Sequence, residues 1–329
     1  MITFFSTVPG ALILLIIGFV FLIKGADFFV EGASAVAKKL HVPALVIGMT
    51  IVAMGTSLPE LSVSVTASMA GSNQLAIGNV VGSNIFNLMV VLGSCALFSV
   101  LEVADDTIKK DFPFSVICAI ALMVMGIIGY EVGHIDGALL LVAFIIFLIS
   151  MLNAAKKSRK AAAHEAEVEV EEEIVDLPTW LCIVYIIGGA VAIKFGGDWV
   201  VDSCTTLALK FGMSETLVGL TIVALGTSLP ELVTSVVAAK KNELDMAIGN
   251  VVGSNIFNIL LILGTAAAIS PVTFMAVNAI DIMILVGFSV VVWMMCFFKK
   301  NLGKIQGIMM LALYVGYLAY IIIRDGGIA

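Results

Sequence analysis

Apolar residues run through this chain in blocks of roughly 20, separated by short polar gaps along its whole length. Each block is long enough to cross a bilayer. In hydrocarbon, backbone N–H and C=O groups must pair within the segment, so blocks of this kind are helices. The pattern predicts ten spans, over about 9–37, 44–69, 75–98, 113–130, 135–153, 179–207, 215–239, 246–269, 275–298 and 304–323. The long polar stretch "KKSRKAAAHEAEVEVEEEIVD" separates the first five spans from the second five. The predicted organisation is a first repeat over 1–153, a cytoplasmic charged linker over 154–178 and a second repeat over 179–329.

Lysine and arginine placement orients the spans. Lys38, Lys39, Lys109, Lys110, Lys156, Lys157, Arg159, Lys160, Lys240, Lys241, Lys299, Lys300 and Lys304 all fall in alternate loops. The opposite loops and termini hold only Lys210 and Arg324. Basic loops face the cytoplasm, so both termini are expected outside, in the cell membrane. The first apolar run lacks a basic leader and a small-residue cleavage site, and reads as a retained helix.

Composition adds little to this. The residues are 61% hydrophobic and 12% charged, where a soluble domain carries about twice that charged fraction. The net charge of −7 traces largely to seven carboxylates between Glu165 and Asp176, so it gives no reason to expect a nucleic-acid partner. No protein partner is inferable; the partners are the bilayer and inorganic cations. The linker has no EF-hand spacing and reads as a solvated loop. Cys95, Cys118, Cys182, Cys204 and Cys296 stand singly in apolar surroundings, as small buried hydrophobes.

The strongest signal is internal. A shift of 171 residues aligns 46–93 with 217–264, and "AIGNVVGSNIFN" at 76–87 recurs letter for letter at 247–258. Weaker matches pair Gly25 with Gly196, Asp27 with Asp198 and Glu31 with Asp202. With five spans per half, the second half enters the membrane in the opposite orientation. Such inverted repeats are typical of secondary transporters, with broken helices and a site near the midplane.

Two duplicated motifs carry the chemistry. "GTSLPE" occupies 55–60 and 226–231. Pro59 and Pro230 donate no N–H, so the carbonyls of Gly55 and Gly226 lose their helical partners. Glu60 and Glu231 lie mid-span, where a charge costs at least ~2.5 kcal/mol on insertion scales. Thr56 with Glu60, and Thr227 with Glu231, are spaced i, i+4 and share a face. Ser57 and Ser228 lie at its edge. In the second motif, Asn79, Ser83 and Asn87 form one polar stripe, and Asn250, Ser254 and Asn258 form its copy. Beside Gly78, Gly82, Gly249 and Gly253, the residues Asn79, Asn84, Asn250 and Asn255 read as interhelical hydrogen-bonding groups. Asn87 and Asn258 lie deeper and are the better ligand candidates. Converging halves would give two carboxylates in an all-oxygen shell without histidine or cysteine, which disfavours soft metals. Ca²⁺ suits such a shell better than Mg²⁺, and Na⁺ could use the hydroxyls and carbonyls.

These paired segments resemble the repeats of the Ca²⁺/cation antiporter superfamily, in particular prokaryotic sodium/calcium exchangers, over essentially the whole chain. The resemblance implies an antiporter, not an enzyme, that needs no cofactor and moves Ca²⁺ out against Na⁺. It implies that Glu60 and Glu231 hold Ca²⁺ and Na⁺ alternately, with Thr56 and Thr227 adding oxygen to the Ca²⁺ position. Ser57, Ser83, Ser228 and Ser254, with the carbonyls of Ala53 and Ala224, would line Na⁺ positions, and Asn87 and Asn258 would close the centre. Some members carry aspartate where this chain has Asn258; here two carboxylates face one divalent ion, and the Na⁺ stoichiometry stays open. The resemblance also implies long, sliding first and sixth helices. Their acids Asp27, Glu31, Asp198 and Asp202 read as solvated helix ends, or else as guides for cations into a vestibule.

Two other readings remain. Ca²⁺/H⁺ exchange would load the glutamates with protons in place of Na⁺, although the serines lean toward Na⁺. A cation channel would show flux without coupling, and inverted repeats with broken helices argue against it.

Overall fold

The computed structural model describes residues 7–165, 177–212 and 224–324. Helix α1 spans Val8–Leu40. Helices α2 (Ala44–Thr56) and α3 (Leu58–Met69) form a pair bent by 50°, followed by α4 (Asn73–Phe98). After the short strand β1 (Leu101–Glu102) come α5 (Thr107–Gly129), β2 (Glu131–Val132) and α6 (His134–Glu165). The second half repeats the order: α7 (Thr179–Lys210), α8 (Ala224–Gly226), α9 (Leu229–Lys240) and α10 (Leu244–Ile269). It ends with β3 (Val272–Thr273), α11 (Ala276–Lys299), β4 (Asn301–Leu302) and α12 (Lys304–Arg324).

Among the described residues, eight helices are long and apolar enough to cross a membrane, and the α2–α3 pair makes a ninth candidate. The chain is therefore an all-α polytopic membrane protein. The expected span over 215–239 is represented by α8 and α9; its first part, 215–223, lies outside the described residues, as does the acidic run from 166 to 176. One boundary differs from expectation. Helix α6 does not stop at 153 but continues through the basic cluster to Glu165. The sequence "AAKKSRKAAAHE" consists mostly of strong helix formers and contains no breaker, so the helix outlasts its apolar stretch.

The helices sort by burial. In α4 and α10, 78% of the most apolar window is buried, against 17–33% in the other spanning helices. These two are the centre, and the bent pairs pack against them. Helices α1 and α7 lie side by side along a seam of glycines. A Cβ on Gly25 would sit 2.9 Å from Ile193 N, and one on Gly196 would sit 2.6 Å from Leu22 N. Small residues let the two backbones touch without interlocking side chains. The seam shows in the sequence as Gly18, Gly25 and Gly32, seven residues apart, a signal that span prediction does not use.

The halves grip each other reciprocally. Strand β1 pairs antiparallel with β4, Leu101 opposite Leu302, while β2 pairs with β3, Val132 opposite Val272. Each half thus lends the other the equivalent strand, the pattern of a two-fold relation. Beside the first strap, the Lys300 ammonium lies 2.8 Å from Asp105 and holds its carboxyl below the usual carboxylate range.

A buried carboxylate pair at the helix breaks

The helix breaks at Ser57 (φ −85°, ψ 8°) and again at Ser228 (φ −93°, ψ 5°). Pro59 and Pro230 fall in the first turn of α3 and α9, where a missing N–H costs nothing. Glu60 and Glu231 follow in the same turn, where the amino-terminal end of a helix favours an anion. Both glutamates are 0% exposed. The proline thus restarts a helix so that each carboxylate stands at a fresh N-terminus.

The two motifs complete each other across the molecule. Ser57 Oγ donates to Glu231 Oε1 at 2.9 Å, and Ser228 Oγ donates to Glu60 Oε1 at 3.1 Å. Ser57 also lies 3.2 Å from Ser254, and Ser228 lies 3.0 Å from Ser83. Thr56 donates to Asn250 Oδ1 at 3.1 Å, and Thr227 donates to Asn79 Oδ1 at 3.4 Å. Asn84 and Asn255 exchange amide-to-carbonyl bonds of 3.1 and 3.2 Å across 171 residues of sequence. The four asparagines expected to bridge helices do so.

Two sets of groups escaped the sequence reading. Ser64 and Ser235, each four residues beyond its glutamate, accept from Asn79 at 3.0 Å and Asn250 at 2.9 Å. The same-face spacing that singled out Thr56 would have found them. The other set is a π-helical turn opening at each central asparagine, over Asn87–Val91 and Asn258–Leu263. Such turns are frequent at functional sites, and no residue type announces them.

Ala53 is buried in α2, and its carbonyl accepts the Ser57 N–H at 3.0 Å and lies 3.3 Å from the Thr56 hydroxyl oxygen. Ala224 heads α8, next to residues outside the described ones. Asn87 and Asn258 are 0% exposed. Among the candidate ligands four side-chain oxygens have no hydrogen-bond partner, Glu60 Oε2, Glu231 Oε2, Asn87 Oδ1 and Asn258 Oδ1, and beside them Asn255 Oδ1 and the Asn87 amide nitrogen have none either. Orphaned buried acceptors are rare, and each calls for a physical reason. Among the described residues no group of three or more His, Cys, Asp or Glu side chains is placed to hold a metal ion. Among the described residues of this centre, Glu60 and Glu231 are the two carboxylates amid neutral oxygens.

Access to the centre is unequal on its two sides. Thr56 is 0% exposed, whereas Thr227 lines a cavity of ≈ 300 Å³ with Pro59, Pro230, Asp198 and Asp202. Lys194 lies 2.6 Å from Asp198 there. The counterpart acids of the first half are engaged instead: Lys241 lies 2.6 Å from Asp27 and 3.4 Å from Glu31. Ser34 bonds Glu243 beside them. Asp198 and Asp202 therefore border the route to Thr227, while Asp27 and Glu31 are tied to α9 and the turn after it.

A polytopic helical protein with two carboxylates and neutral oxygens at paired helix breaks belongs to the class of cation transporters. The comparisons with known proteins narrow this. The profile described as "Sodium/calcium exchanger protein" matches residues 10–153 and 181–323. The chain is 37% identical over 317 residues to the putative antiporter CaxA of Alkalimonas amylolytica, covering 93% of this chain and 97% of that one. It is 30% identical over 338 residues to the sodium/calcium exchanger MaX1 of Methanosarcina acetivorans, covering 93% and 97%. Among solved structures it superposes on the sodium–calcium exchanger NCX_Mj soaked with 2.5 mM Na⁺ and 10 mM Sr²⁺, with a TM-score of 0.82, 32% identity, and coverage of 95% and 99%. The chain belongs to the sodium/calcium exchanger protein family.

Proposed function

We propose that this protein extrudes Ca²⁺ across the cell membrane in exchange for Na⁺ by alternating access, through ten spans arranged as two inverted five-helix repeats with both termini outside. The observation that carries the reading is the set of four orphaned oxygens, two charged and two neutral, buried between the helix breaks. Ca²⁺ takes 6–8 oxygen ligands in flexible geometry. Glu60, Glu231, Thr56 and Thr227 hold it, and Asn87 and Asn258 close the shell. Na⁺ occupies flanking positions made by Ser57, Ser83, Ser228 and Ser254 with the Ala53 and Ala224 carbonyls. The serine pairs that link the two motifs support Na⁺ as the counter-ion, because proton exchange requires no such hydroxyl pairs. Kinship with proteins named for sodium and calcium exchange supports the same choice.

The deciding measurement is ⁴⁵Ca²⁺ uptake into proteoliposomes. Vesicles loaded with Na⁺ should take up Ca²⁺ until the Na⁺ gradient collapses, and K⁺-loaded vesicles should not. Uptake driven by an imposed pH gradient and indifferent to Na⁺ would establish proton exchange instead. Flux down the Ca²⁺ gradient alone would mark a channel.

The proposed orientation puts the cavity beside Thr227 on the outer side and the Lys241 ion pairs on the cytoplasmic side. In a background with Cys204 replaced by serine, Val63→Cys, which lines that cavity, should react with a membrane-impermeant maleimide added outside. Labelling only from the cytoplasmic side would reverse the orientation.

A further inference from the structure

The amide of Asn258 has two ends of opposite character. Its oxygen can hold a cation, and its NH₂ repels one. Which end faces the ion is settled by a relay that starts at a backbone carbonyl, a group that can only accept. Asn84 Nδ2 donates to the carbonyl of Asn255 at 3.1 Å, which places the Asn84 oxygen at the other end of its amide. Asn258 Nδ2 then donates to Asn84 Oδ1 at 2.9 Å, and Asn258 Oδ1 remains buried without a partner. Turning the Asn258 amide over would set two oxygens against each other and leave its NH₂ without that acceptor. Asn84 cannot turn to relieve this, because its own NH₂ would leave the Asn255 carbonyl. Asn255 clamps the arrangement by donating from its Nδ2 to the Asn84 carbonyl at 3.2 Å.

We propose that Asn84 is a positioning residue, which holds the Asn258 amide so that its oxygen faces the transported cation. The inference rests on the reading of Asn258 as a ligand. It gives Asn84 a second role besides bridging helices, and it makes the site's central selectivity depend on a residue that touches no ion. Ser254 lies four residues before Asn258 on the same helix face and 3.2 Å from Ser57, whose hydroxyl bonds Glu231. The oxygen that Asn84 turns outward therefore shares a face with the groups around the carboxylates.

A double-mutant cycle tests this, because aspartate at 258 has oxygen at both ends and makes orientation irrelevant. Asn84→Leu alone should raise the Ca²⁺ concentration for half-maximal uptake by about 10-fold, the equivalent of one lost ligand. In the Asn258→Asp background, Asn84→Leu should change it by less than about 2-fold, since contacting residues show such non-additivity. An equal loss in both backgrounds would mean that Asn84 acts only in packing, and would overturn the proposal. Where leucine prevents folding, judged by monodispersity in detergent, Asn84→Ala removes the acceptor with less bulk and is read in the same way. Asn258→Ala separates the two levels. If it leaves Ca²⁺ half-saturation unchanged, the ligand reading itself fails; if it weakens Ca²⁺ while the cycle is additive, only the positioning role fails.

Discussion

Glu60→Gln and Glu231→Gln are each expected to reduce Na⁺-driven ⁴⁵Ca²⁺ uptake to background while leaving the protein folded. The substitution keeps the shape and an oxygen that can accept from Ser228 or Ser57, so the bonds between the motifs survive. What it removes is one of two negative charges facing a divalent ion in a site closed to water. Removing one partner of a buried ion pair costs about 3–5 kcal/mol, or roughly 10²–10⁴-fold in affinity. Stability should move the other way or not at all. Without the ion, two buried carboxylates in one centre repel each other, so neutralising one lowers that cost. The melting temperature in detergent without Ca²⁺ should therefore be unchanged or higher. A variant that folds and transports at the wild-type rate would remove that glutamate from the site, and a fall in melting temperature would make its role structural.

The second large effect falls on a residue with no chemistry of its own. Gly253→Val should destabilise the protein by roughly 3 kcal/mol or more, the upper range for overpacking a tight interior. A Cβ at Gly253 would stand 2.7 Å from Met49 Cα, 2.9 Å from Met49 O and 3.0 Å from Ala53 Cβ. Two of those atoms are backbone and cannot swing aside. The added side chain would push α2 away from α10 and carry Thr56, Ser57 and Glu60 out of register with Ser254 and Glu231. Transport and melting temperature should fall together. Gly316→Ala is the control, since no described atom lies within 4 Å of a Cβ there. Equal stability of Gly253→Val and the wild type would show that the α2–α10 contact is looser than these distances.

The sequence made much of the site legible because its signals are local. A proline and a glutamate in an apolar run are conspicuous wherever the run folds, but the i, i+4 rule that set Thr56 on one face with Glu60 does not carry across the break at Ser57, where the two stand on helices bent by 50°. The same rule reached Asn87 through Ser83, and missed Ser64 and Ser235 only because it was not extended past the glutamates. The π-helical turns at Asn87 and Asn258 had no such mark, since no residue type specifies such a turn. The end of α6 was misplaced for the opposite reason: apolarity marks where a helix leaves the membrane, not where it stops being a helix.

By itself the sequence determined a polytopic helical protein, the repeated segments of its two halves and the oxygens of its candidate site, since membrane insertion and residue chemistry are properties of each segment. Only the tertiary structure decided that Ser57 serves Glu231 and Ser228 serves Glu60, each motif completing the distant carboxylate and not its own. It also decided that Thr56 is sealed while Thr227 borders a cavity, although both stand in the same six letters. Identical segments have identical local preferences, so the difference lies in how the halves pack around each copy, an asymmetry that the proposed alternating access would reverse. Lys241 binds Asp27 and Glu31 on one side, and the position equivalent to Lys241 in the first half is Ala70, which has no charge to offer Asp198 and Asp202.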